Sequence, residues 1–382
     1  MKAIRPEGSV KIGVFSASSP ISATVPVRYQ RGKEFLQSKG LQVVDGALYG
    51  HQDCYRSGSI QERAGEFNRL LYREDIPILM AAIGGNNTNS ILPYIDYGYL
   101  KNHPKVIIGY SDTTALLLAV YAKTGLIPFY GPALASSFGE FPPFVEQTFA
   151  CFRDVVLEGC APYSYEMPKL WTEEFINWSE QDRAKTGVSN DWLCVSPGVC
   201  TGRLIGGNLN TMEGFFGTGY MPQIRDGDIL LLEDSLKDAC TIERSFSLLK
   251  LAGVFEKAGG ILLGKHEKFD NSSTDRAPYE ILLEVLGNTK LPILADFDCC
   301  HTHPMLTMPI GCQVRLNATE KTVTLLESPY AEKGLEKVLI CCYQDNPASA
   351  KVIPSNGGML ENEVLDDDCQ SIVQRYWIDL KK

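Results

Sequence analysis

The sequence predicts an α/β protein, with an N-terminal domain on a parallel sheet, a C-terminal mixed α/β domain and a peripheral tail. Three observations predict it. Short β-branched runs alternate with helical patterns through the first third of the chain, as in a parallel sheet with crossover helices. Strand-like runs resume near Gly198. Between them, from about 140 to 195, proline, tryptophan and charged residues mix without a period, which suits a connecting segment lying over a site. The expected division is 1–150, a connecting loop at 151–197, a second domain at 198–330 and an extension at 331–382.

In chain order, VKIGVF (10–15) reads as a strand ending in SASSP, a helix follows over Val27–Lys39, and LQVVD (41–45) is the second strand. SIQERAGEFNRLLYRE (59–74) is an amphipathic helix with Ser59 as its cap. PILMAAI (77–83) is a buried strand that runs into GGNNTNS, and KVIIGYSD (105–112) is the next. TTALLLAVYAKTG is a helix stopped by Gly125, and LIPFYGPAL gives a further strand with a proline-marked exit. In the second domain, GRLIGGNL, DGDILLLED (226–234), AGGILLGK (258–265), LPILADF (291–297), CQVRLNA and TVTLLES supply strands, and Ala239–Ala252 a helix. The tail offers one strand at 337–343 and a polar stretch, KVIPSNGGMLENEVLDDD.

Composition narrows the function classes. With 44% hydrophobic and 21% charged residues the chain is an ordinary globular protein, long enough for two cores. Its 36 basic against 46 acidic residues leave a net charge of −10, which argues against a nucleic acid polymer or an anionic membrane as partner. The opening MKAIRPEGSVKIGVF does not read as a signal peptide, and ALLLAVYA (115–122) is too short to span a bilayer. Twelve cysteines without a CxxC pair then read as reduced thiols in a cytoplasmic protein.

Two loops carry candidate chemistry. In G-Y-S-D-T (109–113), Ser111 sits between a buried strand and a helix, so its hydroxyl projects at the strand's carboxyl end beside free helix N–H groups. A helix cap is the competing role, and Thr113 in place of a final glycine weakens a lipase-type reading. I-G-G-N-N (83–87) offers backbone amides to a ligand, or is simply a tight turn. In a parallel sheet both loops lie on the carboxyl edge, where such folds bind ligands. A serine needs a base, and of five histidines His301 and His303 lie in the polar interruption DFDCCHTHPMLTMPIG. The adjacent Cys299 and Cys300 cannot easily share one tetrahedral ion, which disfavours a metal there. Glu233, ending DILLLE, is placed to orient an imidazole or to stand as a surface charge.

These segments resemble a known family. GYSDTTALLLAVYAKTGLIPFYGP, LIGGNL, ILLLEDS and CHTHPMLTMPIG, with HQDCYRSGSIQERAGEFNRLL and the IGG loop before them, are similar in order to the signature segments of the LD-carboxypeptidase serine peptidases, over roughly residues 8–330. The resemblance implies a Rossmann- or flavodoxin-like first domain and a second domain with β-barrel-like character. It implies a Ser-Glu-His triad of Ser111, Glu233 and His301, with His303 as a flanking residue that a small shift of register would exchange for His301. The Gly85 and Asp112 amides would hold the oxyanion, with neither metal nor cofactor. IGGNNTNSILPYIDY looks closer to the microcin C self-immunity peptidases than to the murein tetrapeptide carboxypeptidases. That subgroup implies a peptidyl or aminoacyl-nucleotide substrate, with Trp178 stacking on the base and Lys237 and Glu267 as further contacts. It also implies a homodimer. A murein LD-carboxypeptidase and a non-catalytic binding protein remain the alternatives.

Overall fold

The computed structural model describes residues 1–331, 337–366 and 371–379. Met1–Ala331 pack as one compact unit and Glu332–Lys382 form a second.

The first unit contains two large sheets. In the first, β1 (Lys11–Phe15), β2 (Gln42–Asp45), β3 (Ile78–Ala81), β4 (Val106–Gly109) and β5 (Phe129–Tyr130) are parallel, in the order β2-β1-β3-β4-β5. That is the doubly wound order. β3 and β4 are buried at every position, which is why ILMA and VIIG are apolar without alternation. The short strand Met308–Pro309, far along the chain, closes the β5 edge antiparallel. Ser59 caps the helix Ile60–Leu71 through a reciprocal pair with Glu62, and Gly125 ends the helix Thr114–Thr124 in the left-handed conformation that favours glycine.

The second sheet has eight strands. Val199–Asn208, Asp228–Glu233, Ala258–Gly264 and Ile293–Phe297 run parallel at its centre. Gln313–Asn317, Thr322–Leu325 and Tyr163–Ser164 extend it on one side and Leu193–Ser196 on the other, all antiparallel. Two short strands of the 151–197 segment, Tyr163–Ser164 and Leu193–Ser196, therefore belong to this sheet, one on each side of it. One apolar cluster spans both sheets. They meet at Gly207, whose φ of 153° suits glycine and where a Cβ would come within 2.8 Å of Thr114 and 2.9 Å of Tyr130.

The second unit is a three-stranded antiparallel sheet with Ser371–Asp379 between Lys337–Tyr343 and Gly358–Asp366. The polar stretch KVIPSNGGMLENEVLDDD, for which the sequence offered no element, holds the end of the helix Pro347–Ser355 and the whole strand Gly358–Asp366. That strand is exposed along most of its length, so it lacks the apolar alternation by which a half-buried strand is recognised.

Candidate active site

At the end of β4 the chain turns sharply. Ser111 has a φ of 60°, an uncommon conformation for a serine that costs about 1–3 kcal/mol and is typical of functional turns. Space fixes the neighbouring residues. A side chain at Gly109 would lie 2.8 Å from both Ala81 and Thr113, so the small residue this elbow requires stands before the serine and Thr113 packs over it. Thr114 donates its hydroxyl to the Ser111 carbonyl at 2.6 Å, locking the turn into the helix that follows. The Ser111 N–H donates to the Tyr130 hydroxyl at 3.2 Å.

The IGGNN loop lies against this turn. A Cβ on Gly84 would stand 2.7 Å from the Ser111 Cβ and 3.1 Å from the Asp112 nitrogen. Gly85 has a φ of 150°, and a Cβ there would run into Ser18. The buried Asp112 carboxylate accepts from the Asn87 amide at 2.8 Å and from the Thr88 amide and hydroxyl at 2.9 and 2.8 Å. Ser18 Oγ accepts from the Asn86 and Asn87 amides, and the buried Arg63 guanidinium reaches the Asn87 carbonyl and side chain. The loop is thus held from three sides.

Glu233 ends its strand with no exposed surface. One carboxylate oxygen meets His301 Nδ1 at 2.7 Å, and the other accepts from Asn208 Nδ2 at 3.0 Å and from the Tyr130 hydroxyl. Burial alone would raise the carboxyl's pKa, but the His301 charge and these donors hold it below the usual value. Burial likewise disfavours the imidazolium, yet Glu233 outweighs it and His301 is raised above the ordinary histidine value. With Nδ1 engaged by the carboxylate, Nε2 is the nitrogen left to move a proton. The Tyr110 ring packs edge-on against the imidazole, 4.9 Å between centroids.

Ser111, Gly85 and His301 line a cavity of about 370 Å³, together with Trp178, Lys237 and Glu267. Glu233 and the Asp112 side chain lie behind its wall. Lys237 Nζ donates to the Ser235 carbonyl at 3.2 Å and stands 3.7 Å from Asp234. Burial raises the Glu267 carboxyl above its usual range. Trp178 carries the Arg28 guanidinium 4.3 Å from its ring centroid. His303 lies on the same wall but faces another acid, with Nε2 3.7 Å from Glu140. Among the described residues, no three His, Cys, Asp or Glu side chains are grouped as metal ligands.

Sequence reasoning missed Tyr130, Asn208, Arg28 and Glu140. Tyr130 and Asn208 sit inside FYGP and LIGGNL, but composition gave no reason to pick them out. Arg28 and Glu140 are buried partners at 3.0 Å, and each reads in the sequence as an ordinary surface charge.

Residues 12–131 match the LD-carboxypeptidase N-terminal domain and residues 201–316 the LD-carboxypeptidase C-terminal domain. The chain belongs to the LD-carboxypeptidase family. It is therefore an enzyme of the serine peptidase class. The microcin C7 self-immunity protein MccF of Escherichia coli is 50% identical over 83% of this chain and 93% of its own length. A Vibrio cholerae protein provisionally named a carboxypeptidase is 52% identical over 82% and 94%. The structure of MccF in complex with aspartyl sulfamoyl adenosine superimposes with a TM-score of 0.84 at 49% identity, covering 87% of this chain and all of that one. An MccF-like protein of Bacillus anthracis matches at 0.75 and 27%, covering 86% and 99%. No helix among the described residues of this LD-carboxypeptidase homologue is long and apolar enough to cross a membrane.

Proposed function

We propose that this enzyme hydrolyses the amide joining an aminoacyl or peptidyl group to a nucleotide-like moiety, as a self-immunity or detoxifying peptidase of the microcin C type. The observation that carries the reading is the shared cavity of Ser111, on its left-handed turn, and His301, whose Nδ1 is held by Glu233. In this reading His301 Nε2 takes the hydroxyl proton as Ser111 Oγ attacks the carbonyl carbon. The Gly85 and Asp112 amides receive the oxyanion. As the C–N bond breaks, His301 returns the proton to the leaving nitrogen, and water then releases the acyl group from Ser111. Glu233 stays ionised and stabilises the imidazolium. The free face of Trp178 stacks on the base, while Lys237 and Glu267 contact the rest of the ligand.

Several features of the relatives support the substrate class. MccF structures hold aspartyl sulfamoyl adenosine, glutamyl sulfamoyl guanosine and adenosine monophosphate. We assign residues 1–150 to the nucleophile, 151–197 to the loop over the site, 198–330 to Glu233 and His301, and 331–382 to an extension, in a cytoplasmic homodimer. The test is hydrolysis of aspartyl sulfamoyl adenosine by the wild type and Ser111→Ala, with a murein tetrapeptide alongside. Cleavage of the conjugate that is lost in the variant is expected. Serine-dependent cleavage of the tetrapeptide alone would overturn the substrate, and binding without turnover would overturn the enzyme mechanism.

A further inference from the structure

We infer that Tyr130 is a positioning residue that ties the nucleophile's backbone to the acid of the triad. The inference rests on the triad proposed above and assigns a function to a side chain outside the cavity. Tyr130 ends β5 with no exposed surface and does not line the cavity. Its hydroxyl has one proton and two lone pairs. The Ser111 N–H can only donate and does so to the phenol oxygen at 3.2 Å. An ionised Glu233 can only accept, so the phenol proton has one destination, Oε1. The second carboxylate oxygen meets His301. A directed chain therefore runs from the Ser111 amide through Tyr130 to Glu233, and His301 closes it from the other side. Burial and the neighbouring carboxylate keep the phenol protonated, so the donor persists across the working pH range.

The chain has two consequences. Tyr130 gives the Ser111 amide a fixed partner in a conformation that serine otherwise avoids, which sets where Oγ points. It also draws negative charge towards Oε1 and away from the oxygen that faces His301. Loss of the phenol oxygen leaves Asn208 as the other donor to Oε1. The carboxylate then pulls harder on the imidazolium, and His301 gives up its proton at a higher pH.

The experiment measures kcat, KM and the acid limb of kcat/KM for Tyr130→Phe on aspartyl sulfamoyl adenosine, beside the wild type and Ser111→Ala. A matched control is Tyr165→Phe, which removes a buried hydroxyl bonded to the Thr307 carbonyl at 2.9 Å. Tyr130→Phe is expected to lower kcat roughly ten- to hundredfold with KM within twofold. Its acid limb should move up by roughly half a pH unit or more. Tyr165→Phe should lower the melting temperature without moving the limb. Placing 3-fluorotyrosine at Tyr130 keeps the ring and strengthens the donor, so the limb should move down even if the phenylalanine variant does not fold. An unmoved limb in both Tyr130 variants would overturn the inference while an inactive Ser111→Ala left the triad standing. Full turnover in Ser111→Ala would overturn the triad and this inference with it.

Discussion

Adding a single methyl group at Gly84 should inactivate the enzyme while leaving it folded. In Gly84→Ala the new Cβ would stand 2.7 Å from the Ser111 Cβ and 2.8 Å from its Oγ. Carbon atoms rest about 3.5–4.0 Å apart, so something must give by roughly 1 Å. The loop cannot easily retreat. Its Gly84 carbonyl accepts from the Ser19 amide at 3.2 Å, and Asn87 and Thr88 are tied to Asp112. The serine must therefore move, and a misplacement of about 1 Å in a reacting group costs on the order of a hundredfold in rate. Overpacking of this kind typically costs about 1–3 kcal/mol of stability. The assay pairs steady-state hydrolysis of aspartyl sulfamoyl adenosine with urea unfolding. The expected result is a kcat lowered about a hundredfold, with a cooperative unfolding transition retained. A kcat within about threefold of wild type would refute the reasoning, because it would mean that a shift near 1 Å at Ser111 is tolerated.

Further outcomes follow from the same geometry. The proposed base must be neutral and His301 is raised, so kcat/KM should fall as pH drops through a value above 6.5. Glu233→Gln removes the attracting charge and should shift that limb down while lowering kcat, as a pH–rate profile would show. Trp178→Ala should raise KM for the nucleoside conjugate about tenfold, within the ~1–3 kcal/mol of one stacked base. The same change should leave a conjugate lacking the base unaffected, and equal losses on both would remove Trp178 from the base site. Burial, with the charges of Lys185 and Arg28, pushes His303 down to about 3. Below 6.5 the unfolded chain binds a proton there that the native state refuses, so stability falls as pH drops from 6.5 towards 3. His303→Gln should flatten that dependence by roughly 1 kcal/mol per pH unit in urea unfolding, and an unchanged slope would show that His303 is not excluded from protonation.

Much of the first sheet was legible because its strands are buried on both faces and its helices on one. ILMA and VIIG lie in short, wholly apolar runs bounded by turn residues, a pattern that suits buried strands, and Ser59 with Glu62 marks a helix start by local chemistry alone. The second sheet was less legible at its rim. Tyr163–Ser164 is a two-residue strand whose ladder partner, Thr322–Leu325, lies far along the chain. Leu193–Ser196 is half-buried at every position, so it has no alternating face to read. Met308–Pro309 was hidden for a different reason, since it pairs with β5 of the first sheet although its neighbours along the chain belong to the second. Pairings of that range carry no local signal.

The two histidines show where a motif stops and three-dimensional structure has to take over. His301 and His303 share a loop, a cavity wall and nearly the same sequence surroundings, so spacing alone leaves them exchangeable. What separates them is which carboxylate waits on each side. Glu233 reaches His301 from the end of a strand in the second sheet, with Tyr130 and Asn208 on its other oxygen. Glu140 reaches His303 from beyond β5 in the first sheet and is shared with Arg28 and Lys185 at 3.0 and 3.5 Å. A carboxylate whose other partners are neutral donors can support an imidazolium. One already compensated by two cations gives little further pull, and the same cations repel a proton from the ring. The opposite pKa directions of the two histidines follow from that difference. Of these two histidines, it is His301 whose electrostatics suit the proposed base, which must accept a proton and hold it through a transition state.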